Sequence, residues 1–274
     1  MKRPQEADKE TVQPARGAES GSLAKGLQVL DALREALQPL AHSEVAETCS
    51  LAPSTAHRVL QMLVDARQVE RTPGGRYRPA ARSLLPLGHD HPMNLLRRDS
   101  TDLLRGLRDR HGPTTSLILF FGRDRSILDT AMGRYSVVPY YDTHVTSPHH
   151  TTVSGKLLLA HLPKAQCDAL LDAQPLTART AHSIVERTAL EQELARVRIE
   201  GFATNLHENV AGICACGSVL LAPAGAAIGA LVMSGPSQYF ADPELQRMRR
   251  DMLDAASVLN NTSSALRAFA RFLE

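Results

Sequence analysis

The sequence contains no tryptophan, only four cysteines and 4% aromatic residues. No stretch approaches the roughly 20 consecutive apolar residues that a membrane-spanning helix needs, so we expect no membrane partner. The cysteines are few and irregularly spaced, which argues against a disulfide framework and suits a reducing cytoplasm. Residues 1–21 lack an apolar core, so we expect a disordered tail there rather than a secretory signal.

Motifs for catalysis, metal binding or cofactor binding are also missing. The segment Thr151–Leu157 superficially resembles a phosphate-binding loop, but His150 stands in place of its first glycine and Leu157 in place of the residue that would hold magnesium. The spacing of the histidines and cysteines matches no zinc motif. In Cys214-Ala215-Cys216 we expect the two thiols on opposite faces of a strand, which disfavours a disulfide between them. We therefore predict no catalytic residue, no metal and no cofactor.

The segment from Val45 to Leu60 predicts two short helices joined by a tight turn. The second helix begins with Pro53, which suits a first helical position because its missing N–H has no intrahelical partner there. Apolar residues such as Ala56 and Val59 fall on one face, where they would be buried. The other face carries polar residues that would meet DNA in its major groove, namely Ser54, Thr55, His57, Arg58 and Gln61.

Arg58 is the residue for which we expect a base contact, because a guanidinium group can bond both O6 and N7 of guanine. A phosphate contact or a surface salt bridge is the alternative for Arg58. Ser54 and Thr55 can bond phosphates or bases at the helix N-terminus, or simply cap the helix. For His57 a phosphate contact and a packing role are both open.

A basic hairpin is predicted after this helix. Pro73-Gly74-Gly75 is a strong turn signal between two short strands. Arg76 and Arg78 alternate with Tyr77, so we expect both arginines to reach flanking phosphate or the minor groove while Tyr77 packs inward. Residues 54–82 hold six arginines against two acidic residues, whereas residues 89–274 carry 19 basic and 19 acidic side chains. Positive charge is therefore concentrated where phosphate neutralisation would need it.

Prolines and glycines between residues 79 and 92 rule out one uninterrupted helix, so we predict a linker at 83–94 between domains at 22–82 and 95–274. In the second domain the pattern predicts a helix over 95–110 and a hairpin of strands over 115–121 and 126–132. Further strands are expected at 136–141, 202–204, 215–222 and 227–234, with helices at 154–161, 165–173 and 188–200. A single helix over about 243–273 closes the chain.

Several short elements, in this order, carry a family resemblance. They are Ser22-Leu23-Ala24-Lys25-Gly26-Leu27-Gln28-Val29-Leu30, Ser54–Leu60, Gly75-Arg76-Tyr77-Arg78, His150 with Gly155-Lys156, Gly201-Phe202-Ala203, Gly212-Ile213 and Met233-Ser234-Gly235-Pro236. Together they resemble the IclR-type bacterial transcription regulators over almost the whole chain. The resemblance implies an α+β fold, with an N-terminal winged helix-turn-helix domain and a C-terminal GAF-like α/β effector-binding domain. It also implies homodimers that often pair into tetramers.

The resemblance suggests where an effector would bind. Some members of the family use an acidic residue, a cysteine and two serines, at places that hold Asn205, Ala215, Val232 and Ser234 here. Only Ser234 keeps its chemistry, so a small carboxylate effector is not assumed. Val153 and Ser154 complete the candidate effector site, where N–H groups at a helix start suit an anionic ligand. The alternative is that these six residues merely complete a core.

A second departure from the family pattern concerns the helix that precedes the turn. The family usually has Ser or Thr as its N-cap, whereas this chain has Ala41. Loss of such a cap costs about 1 kcal/mol, so we expect that helix to start less stably.

These observations predict a DNA-binding transcription regulator, for which we favour repression over activation. Its partners would be double-stranded operator DNA, a small-molecule effector and further copies of the chain. Two alternatives remain open, namely a DNA-binding regulator that needs no ligand and an enzyme domain fused to a DNA-binding module.

Overall fold

The computed structural model describes residues 21–85, 87–134 and 143–274. The chain divides into two compact units, one up to Gly88 and one from His89 onward. Of the tail expected at residues 1–21, residues 1–20 lie outside the described residues, as does the strand expected at 136–141.

The N-terminal unit is a winged helix-turn-helix, as the sequence predicts. Its elements are α1 (Ser22–Glu35), α2 (His42–Thr48), α3 (Pro53–Asp65), β1 (Val69–Arg71), β2 (Tyr77–Pro79) and α4 (Ala81–Leu84). Leu33 of α1 packs with Val59 and Leu60 of α3 in a core that also contains Tyr77 of β2. Strands β1 and β2 pair antiparallel and form the wing. The apolar spacing of α1 and α3 therefore produces the expected three-helix core.

The C-terminal unit combines one antiparallel sheet with helices on both faces. Its elements are α5 (Pro92–His111), β3 (Thr114–Phe121), β4 (Asp124–Ala131), α6 (Val153–His161), α7 (Lys164–Ala173), α8 (Arg187–Glu200), β5 (Phe202–Leu206), β6 (Ile213–Leu221), β7 (Ala227–Pro236), α9 (Asp242–Thr262) and α10 (Ser264–Leu273). The strand order is β4-β3-β7-β6-β5. One sheet face packs against α5, α9 and α10. The other face packs against α6, α7 and α8. The side chains of this face therefore lie around the start of α6.

Pro92, the last proline of the junction, begins a helix. Pro92 is the first residue of α5, and the His91 side chain accepts a hydrogen bond from the backbone N–H of Met93 at 3.3 Å. The helix expected from residue 95 therefore starts three residues earlier. This placement follows from the fixed φ of proline, which matches a first helical turn.

Two predictions for the C-terminal unit are wrong, one about a helix and one about the orientation of two cysteines. The single helix expected over 243–273 is broken at Ser263, whose extended backbone separates α9 from α10 and whose hydroxyl accepts from the N–H of Leu266 at 3.0 Å. The preceding Asn, Asn and Thr compete for backbone hydrogen bonds and favour such a break. Cys214 and Cys216 lie in the same core rather than on opposite sheet faces, because alternate strand residues share a face. Both are free thiols.

Gly155 lies where α6 packs closely against the backbone of His149. A Cβ at this position would lie 2.2 Å from the carbonyl oxygen of His149, whereas one at Gly106 in α5 would meet nothing within 4 Å. We therefore expect Gly155→Ala to destabilise the protein by about 3 kcal/mol through overpacking. Gly106→Ala should instead stabilise it by about 1 kcal/mol, because alanine is the better helix former. Denaturant unfolding followed by circular dichroism measures both, and equal stability of the two variants would contradict this account.

Candidate DNA interface and effector site

The turn between α2 and α3 is built by a left-handed residue. Ser50 has φ +52°, and the next N–H, that of Leu51, donates to the carbonyl of Ala46 at 2.8 Å. This conformation is uncommon for residues other than glycine, and here it closes the turn tightly. α3 packs against α2 through its apolar side, and its other side stays exposed.

The structure brings the five residues predicted on α3 to its open side. Ser54, His57, Arg58 and Gln61 are exposed and Thr55 is half-buried, whereas Ala56 is fully buried. The Gln61 amide donates to Asp65 Oδ1 at 2.8 Å. No hydrogen bond or ion pair joins Arg58 to another described residue, which leaves its guanidinium donors available to a partner molecule.

His57 has a packing neighbour as well as an exposed surface. Its ring centroid lies 5.8 Å from that of His42 in an edge-to-face arrangement. The His42 ring nitrogen Nε2 lies 2.9 Å from the carbonyl oxygen of Pro53 and so joins the start of α2 to the start of α3. Both readings of His57, a contact with phosphate and a packing role, are compatible with this position.

Arg76 and Arg78 of the wing hairpin are held by carboxylates. The Arg76 guanidinium donates from Nε to the carbonyl of Pro39 at 2.7 Å and from Nη2 to Glu44 Oε2 at 2.5 Å. Arg78 forms an ion pair with Glu70 across the hairpin. Tyr77 between them is buried, as expected. Phosphate contacts by the two arginines remain predictions.

Glu44 takes over part of the missing cap of α2. Its carboxylate Oε2 accepts the N–H of Ala41 at 2.5 Å, which is the half of a capping box that does not need a hydroxyl at the N-cap. This backbone hydrogen bond, followed by the one from Arg76, lowers the pKa of Glu44. A glutamate three residues after the N-cap is typical of a capping box and can be recognised in the sequence. The contact of the same glutamate with Arg76 of the wing cannot.

The predicted effector residues of the sheet lie in adjacent rows on one face. Asn205, Ala215 and Ser234 are paired across β5, β6 and β7, and Val232 lies two residues from Ser234 on the same strand. Val153 of α6 packs in one core with Ala215 and Val232. Ser154 follows Val153, so the structure gathers all six residues around the start of α6.

These residues differ in what they can offer a ligand. The Asn205 amide is already occupied, because its Nδ2 donates to the carbonyl of Thr151 at 2.9 Å and its Oδ1 accepts from the N–H of Glu208 at 2.7 Å. Ser234 is 5% exposed and forms no side-chain hydrogen bond with any described residue. Asn205 therefore orders the loop after β5, whereas the Ser234 hydroxyl is available.

Arg125 was missed by the sequence analysis. It is 3% exposed, and its Nη1 donates to Thr152 Oγ1 at 2.6 Å and to Ser154 Oγ at 3.2 Å. Its Nη2 donates to the carbonyl of Ser147 at 2.5 Å. A positive charge thus lies beside the start of α6, where the helix dipole already favours anions. An arginine after a hairpin turn is normally expected to face solvent, so no sequence pattern pointed to this role.

Lys156 is buried beneath the loop after β5. Its side chain is 1% exposed, and its Nζ donates to Glu208 Oε1 at 2.7 Å, to Glu193 Oε1 at 3.3 Å and to the carbonyl of Thr204 at 2.9 Å. Burial raises the pKa of Glu208 even though Lys156 opposes the shift. The lysine thus ties α6 to α8 and to the loop that Asn205 also orders.

Among the described residues, no group of three or more His, Cys, Asp or Glu could hold a metal ion. No described helix is long and apolar enough to cross a membrane.

Comparisons with known proteins agree with this architecture. The family described as "Bacterial transcriptional regulator IclR C-terminal" matches residues 93–261, and the "IclR helix-turn-helix domain" matches residues 22–73. The chain belongs to the IclR family of bacterial transcriptional regulators. The "HTH-type transcriptional regulator XynR" of Escherichia coli K12 is 28% identical over 241 residues, covering 87% of this chain and 95% of that protein. The "Transcriptional repressor IclR" of the same strain is 24% identical, covering 86% and 87%.

A solved structure shows the same fold as this IclR-family chain. It is that of an IclR homolog from Microbacterium hydrocarbonoxydans complexed with 4-hydroxybenzoate, with a TM-score of 0.76 and 22% identity, covering 90% of this chain and all of that one. The α+β fold is thereby established, and the family matches place the chain among transcriptional regulators.

One buried histidine and two half-buried ones predict a loss of stability in mild acid. Burial is the main factor that lowers the pKa of His149, His150 and His161, with Arg125, Lys156 and Arg198 respectively adding to it. A lowered folded-state pKa means that stability is full above about pH 6.5 and falls as the pH drops through the folded pKa. The raised pKa of Glu208 has the opposite effect on the pH dependence of stability, but Glu208 is a single group and the histidines are three.

We expect the melting temperature of the full chain to fall between pH 7.5 and pH 5.5. His161→Asn should reduce that fall, whereas His89→Asn at an exposed position should leave it unchanged. Calorimetry across this range provides the measurement, and a melting temperature that is constant or rises towards pH 5.5 would refute the prediction.

Proposed function

We propose that this IclR-family chain represses transcription by placing α3 in the major groove of an operator. The exposed side of α3, with Arg58 bound to no other described residue, is the observation that supports this proposal best. A helix of a helix-turn-helix reads base edges with such side chains, and arginine bonds guanine in a bidentate manner. Ser54 and Thr55 would contact phosphate or bases at the start of the helix, with His57 and Gln61 beside Arg58.

The wing and the assembly complete this proposal. Arg78 lies on the exposed hairpin, where it would exchange its ion pair with Glu70 for a flanking phosphate. A cytoplasmic homodimer or tetramer would present two copies of α3 to a roughly palindromic operator. Repression is favoured because a relative of similar length carries the name of a repressor.

We further propose that an anionic small molecule binds beside the start of α6 and alters the affinity for DNA. Arg125 donates to Ser154 Oγ, so the single hydroxyl proton of Ser154 remains free to donate to a ligand acceptor. The Ser234 hydroxyl adds a second group, and Val153, Ala215 and Val232 add apolar surface. An aromatic carboxylate is a reasonable first probe, since the Microbacterium homolog was solved with 4-hydroxybenzoate.

Arg58→Ala tests the proposed base contact. We expect it to weaken binding to the operator by roughly 1–3 kcal/mol, because a bidentate contact with a base would be lost. Binding to random DNA should change little. Fluorescence anisotropy with both duplexes measures the effect, and Arg105→Ala on the exposed side of α5 is the matched control for loss of a surface arginine. Equal losses on both duplexes would refute the assignment.

Ser234→Ala tests the effector site. We first expect a panel of aromatic and aliphatic carboxylates to contain compounds that raise the melting temperature and also change DNA affinity. Ser234→Ala should then weaken binding of such a compound about fivefold, since one hydrogen bond is lost. Ser257→Ala on the exposed side of α9 should have no effect. If no compound changes both properties, the regulator that needs no ligand becomes the better account.

A further inference from the structure

The wing is attached to the segment that leads into α2. The N–H of Leu40 donates to the carbonyl of Tyr77 at 2.9 Å, and the N–H of Tyr77 donates to the carbonyl of Leu40 at 2.7 Å. This pair of hydrogen bonds makes residue 40 a short extension of the wing sheet. Backbone pairing at a single residue is a weak attachment, because strand pairs need several such contacts to be stable.

Arg76 reinforces that attachment from the neighbouring position. Its side chain spans from β2 to Pro39 and Glu44, which lie on either side of the bridge residue. Glu44 at the same time holds the N–H of Ala41. One carboxylate oxygen therefore joins the first turn of α2 to the wing. About 41% of the Arg76 side chain and 45% of the Glu44 side chain are exposed, so water screens the pair only in part.

We propose that Arg76 is a positioning residue that fixes the wing relative to the helix-turn-helix, in place of the phosphate contact expected from its sequence position. This inference rests on the proposed DNA-binding function. Turning Arg76 towards DNA would break both of its side-chain hydrogen bonds. It would also leave the Glu44 carboxylate without its cation near the phosphates, which is unfavourable for like charges.

The second wing pair provides a natural contrast. Arg78 and Glu70 are both within the hairpin, so their ion pair links β1 to β2 and makes no connection to α2. Removing the charge of Glu70 tests the loss of a wing ion pair alone. Removing the charge of Glu44 tests the link between the wing and α2.

Glu44→Gln separates the two roles of Arg76. A glutamine at this position still accepts the N–H of Ala41, as capping boxes with Gln do, so the start of α2 is kept. Its neutral oxygen replaces the charged one beside Arg76, so the ion pair is lost. If Arg76 contacts phosphate, the variant releases the arginine from its competitor and DNA binding stays equal or becomes tighter. If Arg76 positions the wing, binding becomes weaker although no cation has been removed. Arg76→Lys adds a second test, because lysine keeps the charge but cannot make both hydrogen bonds in one plane.

The experiment compares wild type, Glu44→Gln, Arg76→Lys, Arg76→Ala and the control Glu70→Gln on two DNA duplexes over a series of salt concentrations. One duplex is selected from a random library by the wild-type chain, and the other is its scrambled sequence. We expect Glu44→Gln and Arg76→Lys to weaken binding to the selected duplex about fivefold, with an unchanged salt slope. Glu70→Gln should bind as tightly as wild type or more tightly, because Arg78 then has no carboxylate to leave. Wild-type affinity in Glu44→Gln and Arg76→Lys would overturn the inference. So would a salt slope reduced by about 0.9 in Arg76→Ala.

A measurement without DNA keeps this inference separate from the proposed function. Amide hydrogen exchange at Leu40 and Tyr77 in the full chain should become about fivefold faster in Glu44→Gln and in Arg76→Lys, but not in Glu70→Gln. If the wild-type chain selects no duplex, the proposed function fails while the exchange rates still decide the role of Arg76. Unchanged exchange in both variants overturns the positioning role.

Discussion

The buried ammonium group of Lys156 is the interaction on which the C-terminal unit depends most. It joins α6, α8 and the loop after β5 through two glutamates and one backbone carbonyl. Removing one partner of such a buried pair typically costs about 3–5 kcal/mol, because the remaining charge stays buried. The arrangement is therefore costly to disturb, and it holds the start of α6 over the sheet. Strand pairing brings the candidate effector residues of the sheet together, and Lys156 helps to hold Ser154 near Asn205, since these two residues lie on segments that it connects.

In the N-terminal unit, one carboxylate at the surface likewise joins separate segments. Ala41 supplies no side-chain acceptor for the backbone N–H of Glu44, whereas the Glu44 carboxylate accepts the backbone N–H of Ala41. The expected weakness of this helix start is thus offset in part by a residue that the wing also uses. A partly exposed carboxylate contributes less than a buried one, because solvent screens it. Glu44 therefore matters mainly because it connects α2 to the wing, two surfaces that would meet the same DNA molecule.

The sequence was most informative where periodicity and turn chemistry agreed. Pro53, the buried Ala56 and the turn at Gly74 were enough to predict the helix-turn-helix, the exposed side of α3 and the wing, because each depends on local backbone preferences. The break at Ser263 escaped prediction because apolar spacing continues through it. Arg125 and Arg76 escaped for another reason. Their partners are separated from them by tens of residues, and a charged side chain carries no sequence mark of being held inside the protein.

The number of arginines in the N-terminal unit overstates the positive charge that is available to DNA. Counting residues 54–82 gives every arginine equal weight, but Arg76 and Arg78 are paired with the unit's own carboxylates. Arg58, Arg67, Arg71 and Arg82 have no ion pair with another described residue. Counterion release on DNA binding depends on cations that actually approach phosphates. An arginine that must first leave a carboxylate adds less than its formal charge, because the abandoned carboxylate repels the same backbone. The electrostatic part of DNA binding should therefore depend on fewer arginines than the composition suggests, and specificity should depend chiefly on the orientation of α3.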